Sequence, residues 1–140
     1  MRSGARVRQV LNAVNLSTVA GLAVGRLGGA RFTAGPDGLL LGSGYRLGFP
    51  VARAFTVGDA VIGTERLGAG GPLLRHEARH ATQYAALGLL VPPLYALAAA
   101  WSWLLTGDWW SQNPFERLAG LADGAYTEHP VRPWWRRRPR

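Results

Sequence analysis

A chain of 140 residues can bury one hydrophobic core and leaves little room for a second, so a single domain over residues 1–129 is expected. It contains no cysteine, which excludes a disulfide scaffold and a thiolate metal site; any metal must take nitrogen and oxygen ligands. The net charge of +8 does not mark a nucleic-acid-binding surface, because residues 9–131 hold eight arginines and eight acidic residues and the excess lies at the two ends; no nucleic-acid partner is expected.

At the N-terminus, Arg2, Arg6 and Arg8 precede a mildly apolar stretch interrupted by Asn12, Asn15 and Arg26. That makes a poor signal peptide, so no cleaved export signal is expected and the expected location is cytoplasmic. Val7, Val10, Leu11 and Val14 recur at helical spacing, which predicts one amphipathic helix over about residues 5–26, ended by Gly28-Gly29. Short apolar runs follow at Ala30–Thr33, Leu39–Leu41 and Tyr45–Leu47, separated by Asp37-Gly38 and Gly42-Ser43-Gly44. They predict hairpins, since those residues supply the backbone angles of tight turns. Ala54–Ile62, rich in β-branched and aromatic residues, is a further strand, and the set makes a small antiparallel or mixed sheet.

From Pro72 to about Leu90 the chain reads as one helix, with proline in the first turn where its missing donor costs nothing. Ala85–Leu105 is 21 almost wholly apolar residues, long enough to span a bilayer. Pro92-Pro93 sits near its middle, so a helical hairpin folded at the proline pair is expected, either lying at a membrane or packed on the core. Trp101, Trp103, Trp109 and Trp110 suit an interfacial belt and a core alike. A last helix starts near Asn113, with Asn113 as N-cap, Pro114 at the first position and Glu116 three residues after the cap. The tail from 130 to 140, with two Trp and five Arg, is expected to be unstructured and suited to an anionic surface.

The chemistry lies in His76-Glu77-Ala78-Arg79-His80. Helical residues four apart share a face, so both imidazoles can aim a nitrogen at one point about 2 Å away. Glu77 is turned about 100° from His76, which suits a carboxylate that takes a proton from metal-bound water without ligating the metal. The bland alternative is a solvated helix face on which Arg75 and Arg79 pair with Glu77. A catalytic site needs a third protein ligand. His129 and Glu116 are the first candidates, with Asp123 and Glu128 behind them. The extended HExxHxxGxxH pattern is absent, so the third ligand must come from a separate helix.

This motif, followed by Asn113-Pro114-Phe115-Glu116-Arg117-Leu118-Ala119, resembles the gluzincin branch of the zincin metallopeptidases, over roughly residues 72–124. The resemblance implies an α+β, minimal zincin-like domain with Zn2+ as cofactor, His76, His80 and Glu116 as ligands, Glu77 as the catalytic residue and a peptide or protein as substrate. It departs from the thermolysin-like pattern at Gly120, where that family has an aspartate bracing a ligand histidine; Asp123 is the substitute brace. An Asn-x-x-Glu capping box would equally explain Glu116. Gln83 lies near the motif face, Tyr84 and Tyr126 are candidate transition-state donors, and Ala54–Ile62 is the candidate sheet edge for substrate. Membrane-integrated zincin proteases place apolar segments between the two motifs as this chain does, so a membrane surface through residues 85–105 is an expected partner. The competing functions are a non-catalytic zinc protein and a small membrane protein with a chance motif.

Overall fold

The computed structural model describes residues 2–135. It is an α+β arrangement with a four-stranded mixed sheet. Helix α1 spans Ser3–Val14 and α2 spans Ser17–Leu27, bent by 74° from one another. One continuous helix over 5–26 was expected, and Asn15 is the reason for the break. Its Oδ1 accepts from Ser17 N (3.0 Å) and Ser17 Oγ (2.6 Å) while its Nδ2 donates to Tyr84 O (2.9 Å). The side chain thus closes a local turn before the new helix and ties the corner to a neighbouring one, with Leu16 at φ 65° as the first residue of the turn into α2.

Strands β1 (Arg31–Ala34) and β2 (Leu40–Ser43) pair antiparallel around the Pro36–Gly38 turn. Residues 54–62 form no single strand. Gly58-Asp59 folds them into β3 (Ala54–Val57) and β4 (Ala60–Gly63), also antiparallel. Strand β4 then pairs parallel with β2, giving the order β1-β2-β4-β3 and leaving β3 at an edge. The expected strand at Tyr45–Leu47 is loop instead; the Tyr45 hydroxyl donates to Phe49 O at 2.7 Å and closes it locally.

Side chains alternate across the sheet with the strand period of two. On one face Val61 joins Leu39, Leu41, Leu74 and Ala81, which brings in the motif helix α3 (Pro72–Leu87). On the other, Ala60 and Ile62 join Ala30 and Tyr45. Here α2 lies so close that a methyl group on Gly21 would sit 2.2 Å from Val57 O, which only glycine permits. Val61 and Ile62 are fully buried, each contributing about 1.5–3 kcal/mol of burial.

A 3-10 turn at Gly88–Leu90 joins α3 to α4 (Val91–Thr106). The fold comes at Gly88, whose φ 60°, ψ −142° no ordinary helix residue adopts, and not at the proline pair. Pro92 and Pro93 start α4 without loss, and α3 ends at Leu87, slightly short of the expected end near Leu90. The stretch Pro72–Thr106 is long and apolar enough to cross a membrane by length and composition. Helix α5 (Pro114–Ala119) follows, its Asn113 cap accepting from Phe115 N. The described part of the tail is docked and not loose: Arg132 N donates to Leu105 O at 2.7 Å, and its guanidinium lies over Trp103 at 5.4 Å. Residues 136–140 lie outside the described residues.

Candidate metal centre

Helix α3 is held with one face inward by α1, whose Asn12 donates to Ala81 O at 3.0 Å, and by the sheet beneath it. On that face His76 Nε2 and His80 Nε2 stand 3.1 Å apart. Glu116 of α5 completes the group, with Oε2 at 3.0 Å from His76 Nε2 and Oε1 at 3.5 Å from His80 Nε2. All three residues are nearly excluded from solvent, at 1%, 8% and 3% exposure. Tetrahedral bonds of about 2.0–2.2 Å place ligand atoms about 3.3–3.6 Å from one another, so the triangle has nearly the size an ion requires. Glu116 Oε2 is buried and, although near His76, makes no hydrogen bond. A buried carboxylate oxygen in that state is costly unless a cation shares it.

The far sides of both imidazoles are tied down. His76 Nδ1 lies 2.9 Å from Gly120 O and His80 Nδ1 lies 2.8 Å from Gln83 Oε1. Each acceptor takes an Nδ1–H, which leaves the Nε2 lone pair for a metal. Gln83 is itself fixed, donating to Phe115 O at 2.9 Å. The Gly120 carbonyl therefore fills the bracing role for which Asp123 was the candidate. Asp123 instead pairs with Arg79 at 2.8 Å and Arg75 at 3.2 Å, which also removes those arginines from Glu77.

Glu116 is not part of a capping box. The Asn113 amide that such a box would engage donates to Trp110 O. Of the other candidate third ligands, Glu128 pairs with Arg117 at 2.7 Å and His129 with Asp108 at 2.6 Å. Among the described residues, His76, His80 and Glu116 form a group able to hold a metal ion.

Tyr95 and Thr56 belong to this neighbourhood and escaped the sequence. The Tyr95 hydroxyl donates to Glu116 Oε1 at 2.5 Å, and its ring packs against those of His80 and Phe115. A phenol within an apolar run was the available signal, because a buried hydroxyl needs a partner. Thr56 Oγ1 on β3 donates to Glu77 Oε2 at 2.7 Å; one threonine in a strand carries no such signal. Tyr126 meets the His76 ring edge to face at 5.8 Å and stacks on Trp110. Tyr84 is different: burial alone pushes its phenol up to about 12, whereas Tyr95 and Tyr126 are raised further by the Glu116 and Glu77 carboxylates. The Tyr84 carbonyl faces the corner between α1 and α2, accepting from Asn15 Nδ2 at 2.9 Å.

Burial would push both imidazoles down, but the Glu116 carboxylate, helped by Gly120 at His76 and by Glu77 and Gln83 at His80, holds them above their ordinary value. Burial opposes the charge on Glu116 too, yet the two imidazoles and the Tyr95 hydroxyl bring it down to about 2. Desolvation dominates at Glu77 and raises its carboxyl in spite of Thr56 and the histidines. A carboxylate with raised proton affinity beside a metal position is suited to general base work.

No protein-family model, curated protein or solved structure matches this chain. The donor set therefore has to speak for itself. Two imidazole nitrogens and one carboxylate suit a divalent transition metal and leave coordination positions open for water or substrate.

Proposed function

We propose that the chain is a zinc-dependent metallopeptidase-like protein that hydrolyses peptide bonds. The observation that carries this is the buried triangle of His76 Nε2, His80 Nε2 and Glu116, with both Nδ1 atoms already engaged. Bound zinc supplies a Lewis acid and a water whose pKa falls to about 7. Glu77 accepts the proton of the attacking water and delivers it to the leaving amine nitrogen. Edge strand β3, which carries Thr56, offers unpaired backbone groups along which an extended peptide can lie. Tyr126, against His76, is the candidate donor to the developing oxyanion.

Residues 85–105 are the segment we place at a membrane, with the metal centre on its cytoplasmic side. His76 and Glu116 lie in contact although that segment separates them in the chain, so it enters and returns on one side.

Metal analysis of the purified protein tests the reading. One zinc per chain, lost in His76→Ala, His80→Ala and Glu116→Ala, together with peptide cleavage lost in Glu77→Gln, is the expected result. Iron in place of zinc, or folded protein that binds no metal, would overturn it. A second reading, a non-catalytic zinc protein, is favoured by the near-complete burial of the ligands and of Glu77; zinc without any cleavage would establish that one.

A further inference from the structure

Two stretches free of formal charge, residues 9–25 and 80–107, are remote in the chain and meet in space. Helix α1 runs parallel to α3, since Asn12 donates to Ala81 O and Asn15 to Tyr84 O. The corner between α1 and α2 therefore lies beside the turn between α3 and α4. A methyl group on Gly88 would touch Asn15 Cβ at 3.4 Å. At this shared end Val14 (76%), Leu16 (58%) and Leu90 (61%) stand exposed, with Leu87 and Leu89 between them. Asp59, whose carboxylate and amide reach Thr18 at the start of α2, is neutralised by Arg8 at 2.7 Å with both side chains largely buried.

Helix α4 is apolar on every face, yet of its 16 residues Val91, Ala99 and Ser102 are the buried ones. A helix apolar all round belongs in a large core or in lipid, and a core it does not have. Its other end carries exposed Trp101 and Trp103, with Arg132 over the Trp103 ring. Arg2 and Arg6 stand exposed at the start of α1 and Arg26 at the end of α2. The uncharged end is thus opposed by a basic and aromatic collar, the pairing that suits hydrocarbon below and anionic headgroups above.

We propose that the two adjoining helical corners form a wedge that inserts into one leaflet of an anionic bilayer. From Leu90 to Trp103 α4 rises about 20 Å, short of a hydrocarbon core about 30 Å thick, so the wedge enters without crossing. A second copy of the chain is the poorer occupant, because it would cover the uncharged end and leave the basic and aromatic collar at the other end without a partner, which anionic headgroups supply. The surface is independent of any metal and extends beyond residues 85–105 to the corner at Leu16.

The test is flotation of the full chain with phosphatidylcholine vesicles, with and without phosphatidylglycerol, after detergent removal by dialysis. Strong flotation with the anionic vesicles, weakened by salt, is expected, as is quenching of tryptophan fluorescence by brominated acyl chains. Leu16→Asp combined with Leu90→Asp is expected to lower the bound fraction about tenfold or more, with an unchanged circular dichroism spectrum. Leu118→Asp, at an exposed position on α5, is expected to leave it unchanged. Failure to float with either vesicle overturns the proposal. So does a lipid-free dimer, seen by light scattering, that the double substitution dissociates while flotation is absent.

Discussion

Thr56 Oγ1 donates to Glu77 Oε2 at 2.7 Å, both side chains being buried where β3 meets α3. One carboxylate oxygen is thereby fixed, and in the proposed mechanism the proton acceptor is aimed by the strand whose edge would receive the peptide. Hydrogen bonds to charged groups contribute about 1.5–3 kcal/mol. Thr56→Val is expected to lower kcat about tenfold to a hundredfold with zinc content and KM little changed, and Thr56→Ser to restore most of it. Equal losses in both variants would mean that the residue is only packing.

Glu77→Gln keeps the shape of the side chain and removes its basicity. Peptide hydrolysis is expected to fall by about a hundredfold to ten-thousandfold, while zinc stays bound at one per chain. Loss of the zinc from this variant would make Glu77 a ligand and contradict the assignment.

Gln83 and Tyr95 orient the proposed ligands His80 and Glu116 without belonging to the group that could hold the ion. Removing such supports costs about tenfold to a hundredfold in metal affinity. Gln83→Ala, which frees the His80 ring and the Phe115 carbonyl, and Tyr95→Phe, which frees Glu116 Oε1, are each expected to raise the zinc dissociation constant by that factor. Titration against a competing chelator measures it; unchanged constants in both would remove the supporting role.

Protons and a metal ion would compete for this cluster. The raised histidines of the metal-free protein stabilise it fully below their ordinary value of 6.5 and lose that contribution as pH rises through the folded values. Glu116 acts oppositely: its contribution is present above the ordinary 4.5 and is lost as pH falls toward about 2. These three groups therefore favour the folded state most between about 4.5 and 6.5, while Glu77, whose carboxyl burial raises, loses its contribution as pH rises above its ordinary 4.5 and draws the optimum toward the lower end. Zinc must displace the histidine protons, so its stabilising effect is expected to grow as pH rises above that window. Thermal melts with zinc and with chelator across pH measure both curves; a zinc increment that shrinks as pH rises would refute the assignment.

The α+β layout, the turn at Asp37-Gly38, and the shared face of His76 and His80 were legible because they rest on local rules, helical spacing and turn residues; Glu116 stood level with His129 until the resemblance to the gluzincins favoured it. What stayed hidden depended on partners distant in the chain. Nothing local reveals that Asn15 bends a helix by bonding Tyr84 O, or that the chain turns at Gly88 before the more conspicuous prolines. Gly120 is the sharpest instance. A missing side chain looked like a missing brace, and the backbone carbonyl at the same position supplies it.

Helix α5 has six residues, far fewer than the dozen or more an isolated helix needs to persist. It keeps its shape because its ends are pinned: Asn113 caps the start, and the Gly120 amide closes on Glu116 O at 2.9 Å while the Gly120 carbonyl faces His76. Glu116 and the two histidines thus clasp the beginning of α3 to the far side of an apolar loop that contains all of α4. An ion at that clasp would work as a removable rivet. Stripping it should let α5 and the residues after it fray before the sheet loosens, so that the first amides to exchange on chelation are those around Glu116.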